Sequence, residues 1–375
     1  MLAAVATGAV AFAAWIYLAA ARGRFWRVHE EASPAGSPTA RVAVVIPARN
    51  EAEHIGAAVR SLENQNYAGP LSIFVVDDTS DDGTAEIAGS ASACVTVIDG
   101  APPPAGWTGK MWAVHQGIEA ARDRNAGYLL LTDADIVHGP DMVRGLVARG
   151  EQFSLDLVSY MVLLRTQTLP ERLLIPAFVF FFLKLYPPAW IASAKRRTAG
   201  AAGGCILIRR TALERIGGIA AIRGELIDDC ALARRVKDSG GRIWMGLTCS
   251  ARSERAYATF GEIWRMISRT AFTQLNHSGV VLAGTVAGMA IVYVAPVALL
   301  FSGNRIAAGL GAAAWALMTA LYAPMLRFYR LPRWYAPSLP FVAVFYAAAT
   351  MDSAIRHYLG QGGLWKGRVH SALRG

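Results

Sequence analysis

The 375-residue sequence predicts an α/β protein: a mostly parallel sheet covered by helices on both faces, flanked by one N-terminal and several C-terminal membrane helices. Three observations lead there. Between residues 41 and 131, short β-branched apolar runs alternate with helical patterns. Long uncharged apolar stretches stand at both ends of the chain. The composition, 54% hydrophobic and 17% charged with a mean hydropathy of +0.33, is too apolar for an ordinary soluble protein.

The same composition excludes disorder. Four cysteines, Cys94, Cys205, Cys230 and Cys249, lie far apart with no C-x-x-C pair. That excludes a disulfide scaffold and predicts reduced cytosolic thiols. A net charge of +10 suits anionic headgroups, phosphorylated ligands or nucleic acid. The basic residues flank apolar segments and lack interleaved aromatics on one stripe, so no nucleic-acid partner is expected.

Residues 2–21 have the length and apolarity of a bilayer-spanning helix and are followed by Arg22, Arg24 and Arg27, which puts the rest of the chain on the cytoplasmic side. The alternative is a signal peptide cleaved near Ala19-Ala20-Ala21, but no basic region precedes the apolar run. Residues 280–301 and 306–326 form a second and third candidate span, joined by the short turn Ser302-Gly303-Asn304-Arg305. A fourth stretch, 337–355, is interrupted by Pro340 and carries Asp352. Four full spans would leave the basic tail, 357–375, on the outer side with Arg356. Either the last segment is re-entrant or the positive-inside preference is violated. The apolar segment 173–191 contains Pro176, Lys184 and Pro187-Pro188, which argues against an uninterrupted spanning helix. An interfacial segment with Tyr186 and Trp190 at headgroup level and a buried core helix are equally good readings.

Between the anchor (1–22) with its linker (23–40, containing SPAGSP) and the C-terminal membrane segments (279–356), residues 41–278 are expected to form one cytoplasmic domain. Its first strands are read at 42–46, 72–76, 95–98 and 128–131, with helices at about 53–65, 83–91 and 109–122 between them. In such sheets ligands gather beyond the carboxyl ends of the strands. There the first strand ends in PARNE, the second in DDTSDDGT and the fourth in TDAD. Converging carboxylates repel one another unless a cation sits among them, and a divalent metal is the economical cation.

Asp133 and Asp135 place two carboxylates at alternate positions, suited to Mg²⁺ or Mn²⁺ that also takes phosphate oxygens. Alone, such a pair is more often a solvated turn; two other acidic strand ends reverse that weighting. Asp77 and Asp78 can accept from a uracil ring and ribose hydroxyls, with Arg49 and Glu51 framing the base. Helix capping accounts for Asp81 and Asp82 but not for Asp77 and Asp78. There is no P-loop and no G-x-G-x-x-G, against a P-loop NTPase or a dinucleotide oxidoreductase. Gly106-Trp107-Thr108-Gly109-Lys110 opens a helix where backbone amides and the Lys110 ammonium can meet a diphosphate; a solvated lysine is the competing reading. Asp228 and Asp229 start another helix, as a general base or as capping residues. Arg265 and Arg269 share one helix face, as a phosphate clamp or as an attraction to anionic headgroups.

Taken in order, PARNE, VVDD-x-S-x-DGT, TDAD, GGCILIRR, DDCAL and RMISR resemble the motif series of family 2 glycosyltransferases, over about residues 41–275. Within that family the chain is similar to membrane enzymes of the ceramide glucosyltransferase type. GWTGKMWA, the apolar stretch near 180 and the C-terminal spans look most like the bacterial hopanoid-associated glycosyltransferases. The resemblance implies a GT-A-like, Rossmann-like domain. It implies nucleotide contacts from Pro47, Arg49, Glu51, Asp77 and Asp78, a donor-and-metal pair in Asp133 and Asp135, a base in Asp229, and an acceptor wall at Gly203-Gly204. Relatives continue Q/R-x-x-R-W, whereas this chain has Arg265-x-x-Arg269-Thr270. The missing tryptophan argues against a processive polysaccharide synthase and for transfer of one sugar.

The expected reaction is therefore an inverting displacement at a bacterial cytoplasmic membrane. A lipid hydroxyl deprotonated by Asp229 attacks a nucleotide-sugar, expected to be UDP-linked, while the metal and Lys110 hold the departing diphosphate. This reading requires Asp78, Asp135 and Asp229 to line one cavity around one cation. The competing classes are a metal-dependent nucleotidyltransferase on a lipid-linked substrate and a non-catalytic membrane scaffold.

Overall fold

The computed structural model describes residues 1–360, which form two compact units. One contains the sheet and comprises Glu30–Arg165 and Trp190–Ala256. The other is helical and comprises Met1–His29, Thr166–Ala189 and 257–360. The expected single domain over 41–278 is thus interrupted: residues 166–189 and 257–278 pack with the apolar helices, and the linker residues from Glu30 onward pack with the sheet.

The sheet has eight strands: β1 (Val42–Ala48), β2 (Leu71–Asp77), β3 (Val95–Asp99), β4 (Tyr128–Leu131), β5 (Ile136–His138), β6 (Leu157–Leu163), β7 (Ile206–Arg209) and β8 (Ile243–Ser253). Their order is β3-β2-β1-β4-β7-β6-β8-β5. The first four strands are parallel, as read from the sequence, with Val42 opposite both Leu71 and Tyr128 and Ile73 opposite Val95. β1 is buried along its whole length, as a central parallel strand covered on both faces must be. The crossover helices are Ile55–Glu63, Thr84–Ala91 and Gly109–Ala120. β7 then runs antiparallel to both β4 and β6, β8 runs parallel to β6, and β5 pairs antiparallel with β8.

The Gly109–Ala120 helix carries Lys110 at its first turn, where the Thr108 hydroxyl accepts from Met111 N–H. Gly117 lets this helix lie close on the sheet. A Cβ there would stand 2.5 Å from Cγ1 of Val45 and 3.0 Å from Cγ2 of Val76.

In the helical unit five segments are long and apolar enough to cross a membrane: Leu2–Ala20, Leu169–Ile191, Gly279–Phe301, Arg305–Phe328 and Arg333–Tyr358. Two proline expectations need correction. Pro176 lies inside the Leu169–Leu185 helix, which continues past it and ends only before Pro187-Pro188. A Thr168–Glu171 capping box starts this helix and one side of it is buried, so burial against neighbouring helices supports it. Pro340 does not interrupt the last stretch, because it sits in the first turn of the Leu339–Tyr358 helix, where a missing N–H leaves no hydrogen bond unmade.

A third proline is compensated across the unit. Pro296 offers no N–H to the carbonyl of Val292, and the indole Nε1 of Trp15 donates to that carbonyl at 2.8 Å. The last helix has ends at different levels. Trp315 Nε1, midway along the Arg305–Phe328 helix, donates to Pro337 O at 3.0 Å. At the other end, the His277 and His357 rings stack at 4.2 Å, beside the start of the Gly279 helix. Arg356 is neutralised there by Asp352 at 2.8 Å. The remaining cations of the expected basic tail, Lys366, Arg368 and Arg374, lie outside the described residues.

The chain leaves the sheet after β6 and returns to it at β7, which pairs with β6. Gly117→Leu should destabilise the sheet unit by about 1–3 kcal/mol, the usual cost of overpacking. Thermal unfolding of the detergent-solubilised protein checks this; an unchanged midpoint would show that the helix is free to lift off.

Candidate active site

Beyond the carboxyl ends of β1 and β2, two loops are stitched to each other. Asn50 N–H donates to Ser80 Oγ at 2.9 Å, Asp81 N–H to Asn50 Oδ1 at 3.1 Å, and Glu51 N–H to Thr84 Oγ1 at 2.8 Å. Asn50 and Thr79 adopt left-handed φ values of 50° and 55°, which turn both loops sharply at the strand ends. Arg49 Nη1 donates to Asp78 O at 2.6 Å and lies 3.7 Å from the Asp78 carboxylate. Asp77 Oδ2 accepts from Ser80 N–H at 3.0 Å, whereas its Oδ1 is buried without a hydrogen-bond partner. Arg49 Nε is in the same condition. A buried acceptor and donor left open at a strand edge suit the polar rim of a bound base. Asp82 accepts from Thr84 N–H at 3.1 Å at a helix start, the capping role read for it.

Beyond β4, Asp135 is buried and accepts from Ser253 Oγ, and Arg255 bridges it to Glu51 with Nε 3.5 Å from Asp135 Oδ2. Burial pushes the Asp135 carboxyl above its ordinary range, against the pull of Arg255.

The third cluster lines a small open cleft. Lys110 Nζ lies 3.0 Å from Asp133 Oδ1 and 3.2 Å from Asp228 Oδ2. Burial opposes the charge on Lys110, but Asp133 and Asp228 outweigh it and raise the ammonium pKa. The competing picture of a solvated Lys110 is thereby overturned. Asp229 opens the Asp228–Asp238 helix, accepting from Gly203 N–H at 2.9 Å and from its neighbour Cys230 N–H at 2.7 Å. Burial, and next the adjacent Asp228 charge, push the Asp229 carboxyl up to about 6. Pro47, Thr132 and Gly203 complete the polar side of the cleft, and Ile219, Ile222 and Leu232 belong to its apolar side. Gly204 faces the sheet instead, where a Cβ would stand 3.3 Å from both Ile136 and Val162.

The expected single cavity around one cation, on which that reading was made to depend, is not formed, so a sugar-transfer reading has to stand on the smaller cleft alone. Asp133, Asp228 and Asp229 share the cleft, but Asp78 and Asp135 do not line it. Each acidic strand end has its own side-chain cation: Arg49 for Asp78, Arg255 for Asp135 and Glu51, and Lys110 for Asp133 and Asp228. Repulsion among the carboxylates is relieved from within the chain, so it does not itself demand a metal. Among the described residues no group of three or more His, Cys, Asp or Glu is placed to hold an ion by protein alone. Asp133 and Asp135 still fit a divalent ion completed by phosphate oxygens, since both offer hard oxygen donors and Asp133 is 36% exposed.

Arg265 and Arg269 are exposed on the Phe260–Thr270 helix, which belongs to the helical unit. Sequence reasoning missed Arg255 and Ser253. Their only local signal is a polar strand end after β8, too common to single out.

Residues 43–217 match the family Glycosyl transferase family 2. That match takes in just under half of the chain, and over it the chain is similar to this family. The matched stretch contains every strand-end motif from Pro47 to Gly204 and stops short of Asp228. The 4,4'-diaponeurosporenoate glycosyltransferases of Staphylococcus aureus strains bovine RF122 / ET3-1 and USA300 are each 36% identical over 94 residues. That match takes in 25% of this chain and 23% of theirs, so the chain spans about a quarter of the length of these relatives. A solved structure, the mannosyltransferase PcManGT from Pyrobaculum calidifontis in complex with GDP-Man and Mn²⁺, superposes with a TM-score of 0.57 at 19% identity, over 97% of this chain and 99% of that one. The glycosyltransferase domain therefore has the GT-A fold expected for it.

Lys110→Met removes the side-chain cation that, among the described residues, lines the cleft beside Asp133, Asp228 and Asp229. The variant should lose about 1–2 kcal/mol at pH 8, less than the cost of stranding a fully buried charge because solvent screens these half-exposed groups. The deficit should shrink toward pH 5, because carboxylates whose pKa has risen become neutral there. Equal unfolding midpoints for variant and wild type at pH 8 would contradict this.

Proposed function

We propose that the protein transfers a single sugar from a nucleotide-sugar, UDP-linked by preference, to the hydroxyl of a membrane lipid of hopanoid-like, other polycyclic or polyprenyl type. The observation that carries this reading is Asp229: a half-buried carboxylate in a cleft, raised to about 6 and facing a lysine-held acidic strand end. A hydroxyl nucleophile needs a base tuned near the working pH. A carboxylate acceptor would need none.

The base and ribose meet Pro47, Arg49, Glu51, Asp77 and Asp78, and the open Oδ1 of Asp77 accepts from the base. Lys110 exchanges part of its contact with Asp133 and Asp228 for the diphosphate oxygens. Asp133 and Asp135 would hold a divalent ion, Mg²⁺ or Mn²⁺, which would supply neutralisation of the diphosphate charge. Arg255 must then release Asp135. Asp229 takes the proton of the acceptor hydroxyl, and its oxygen attacks the anomeric carbon from the face opposite the nucleotide, inverting that centre. Gly203 leaves room beside Asp229, since a Cβ there would stand 3.5 Å from Asp229 Oδ2. Arg265 and Arg269 serve the lipid phosphates at the bilayer surface.

A lipid acceptor accords with the apolar helices. Extracting such a lipid into water costs about 0.8 kcal/mol per CH₂, so it is used where it lies. The partial relatives named for glycosylating 4,4'-diaponeurosporenoate favour an apolar acceptor as well. In this reading the protein is a multi-pass protein of a bacterial cytoplasmic membrane with the GT-A domain in the cytoplasm. Leu2–Ala20, Gly279–Phe301 and Arg305–Phe328 cross the bilayer. Leu169–Ile191 stays at the cytoplasmic interface, and the last helix is re-entrant.

Asp229→Asn should lower transfer about 10²–10⁴-fold, the range for losing a general base, while calorimetry shows UDP-sugar binding nearly intact. In the wild type, kcat/KM should fall about tenfold per pH unit below pH 6, because only the ionised carboxylate accepts a proton. The products should be a glycosylated lipid and a nucleoside diphosphate; release of pyrophosphate would mean nucleotidyl transfer instead. No nucleotide-sugar binding at all would mean a scaffold. Reporter fusions check the topology: green fluorescent protein after residue 360 should fluoresce and alkaline phosphatase there should be silent, with the reverse after Gly303.

A further inference from the structure

Thr132, just past β4, lines the cleft, and its hydroxyl has two partners. His138 Nε2 lies at 2.9 Å and the Gly204 carbonyl oxygen at 2.8 Å. A hydroxyl carries one proton, and a carbonyl oxygen can only accept. The Thr132 proton therefore goes to Gly204, and the His138 ring must donate to Thr132 Oγ1. That assigns His138 the Nε2–H tautomer. Its Nδ1 then keeps a bare lone pair, and this nitrogen is buried without a hydrogen-bond partner. Burial also lowers the imidazole pKa to about 4, so the ring is neutral at physiological pH. A residue present only to fill this space would be better as a leucine, which leaves no buried polar atom unpaired.

The contacts continue toward Asp229. Gly203 and Gly204 are the central residues of a turn closed by Cys205 N–H to Ala202 O at 3.2 Å. Ser159 holds the start of the turn, accepting from Ala202 N–H at 2.9 Å. Thr132 holds its Gly204 side, and Gly203 N–H donates to Asp229 Oδ2. Thus one line of hydrogen bonds runs from the His138 ring through Thr132 to the glycine turn, and from the turn to the carboxylate.

We propose that His138 is a positioning residue for sugar transfer: through Thr132 it fixes the Gly203-Gly204 turn, and the turn fixes Asp229. The proposal rests on the reading of Asp229 as the base. It does not require His138 to touch substrate, and His138 exchanges no proton during the reaction.

Kinetics on the full-length protein in lipid nanodiscs, with UDP-glucose and a hopanoid alcohol, test it together with ¹⁵N-histidine NMR. His138→Phe and Thr132→Val should each lower kcat about tenfold to hundredfold, the scale of a small misplacement of a reacting group, and leave the KM for UDP-glucose within about twofold. Both should move the acid limb of the pH profile upward, because a weakened Gly203 N–H contact raises the Asp229 pKa. His138→Gln keeps a donor at the Nε2 position and Thr132→Ser keeps the hydroxyl, so both should recover much of the rate. The double variant His138→Phe/Thr132→Val should be no slower than the slower single variant, since both cut one line. NMR should show His138 as the neutral Nε2–H form.

His138→Phe with wild-type kcat and an unmoved acid limb overturns the proposal. So does an Nδ1–H tautomer, whether or not turnover is seen. Wild-type protein that binds UDP-glucose but transfers nothing, with the Nε2–H tautomer present, counts against Asp229 as the base and leaves the hydrogen-bonded line standing.

Discussion

Lys110 brings one positive charge to a cleft that already holds three carboxylates from two distant parts of the chain, and the arrangement of the site follows from that contact. Asp133 arrives from the end of β4, and Asp228 and Asp229 from the start of a helix nearly a hundred residues later. Without the ammonium these groups would repel one another in partly dry surroundings, and the helix start would be driven from the strand end. With it, Asp133 and Asp228 are held 3.0 and 3.2 Å from one ammonium. Asp229, which has backbone N–H groups rather than the lysine as its near partners, is left with a raised pKa. Two adjacent carboxylates thus acquire different partners, a lysine ammonium for Asp228 and backbone N–H groups for Asp229.

The same rule recurs along the sheet edge. Parallel strands deliver their carboxyl ends to one side, and three of those ends are acidic. A guanidinium or ammonium from another segment meets each of them: Arg49, Arg255 and Lys110. A bound nucleotide diphosphate changes this balance, because it brings negative charge of its own and competes for the same cations. The Asp135–Arg255 pair is where such competition has the largest structural consequence, since Arg255 also holds Glu51 in the loop after β1.

In the helical unit the governing constraint is the backbone carbonyl left without a donor. Helices that contain proline persist where packing or a side chain makes good the loss, as Trp15 does for Val292. A proline in the first turn loses nothing, which is why Pro340 begins a helix and does not end one. Proline alone is therefore a poor guide to helix ends in apolar segments, whereas Pro187-Pro188, two in succession, does end one.

Four parallel strands, their crossover helices, the acidic strand ends and most apolar spans were legible in the sequence, because each is a local pattern: a continuous apolar run, a helical period, or a motif at fixed spacing. β5 and β7, at three and four residues, are too short to display any period, and their existence depends on neighbours supplied from elsewhere in the chain. The DAD and DD motifs announced where carboxylates stand but not what neutralises them. Arg255 comes from the far end of β8, and Lys110 turns inward from a helix start that reads equally well as solvated. Residue type and spacing determined which groups could do the chemistry. Only the tertiary structure decided which charges pair, which carboxylate stays without a close cation, and where Thr132 and His138 hold the glycine turn, because burial and electrostatic pairing depend on distances between segments that no local pattern encodes.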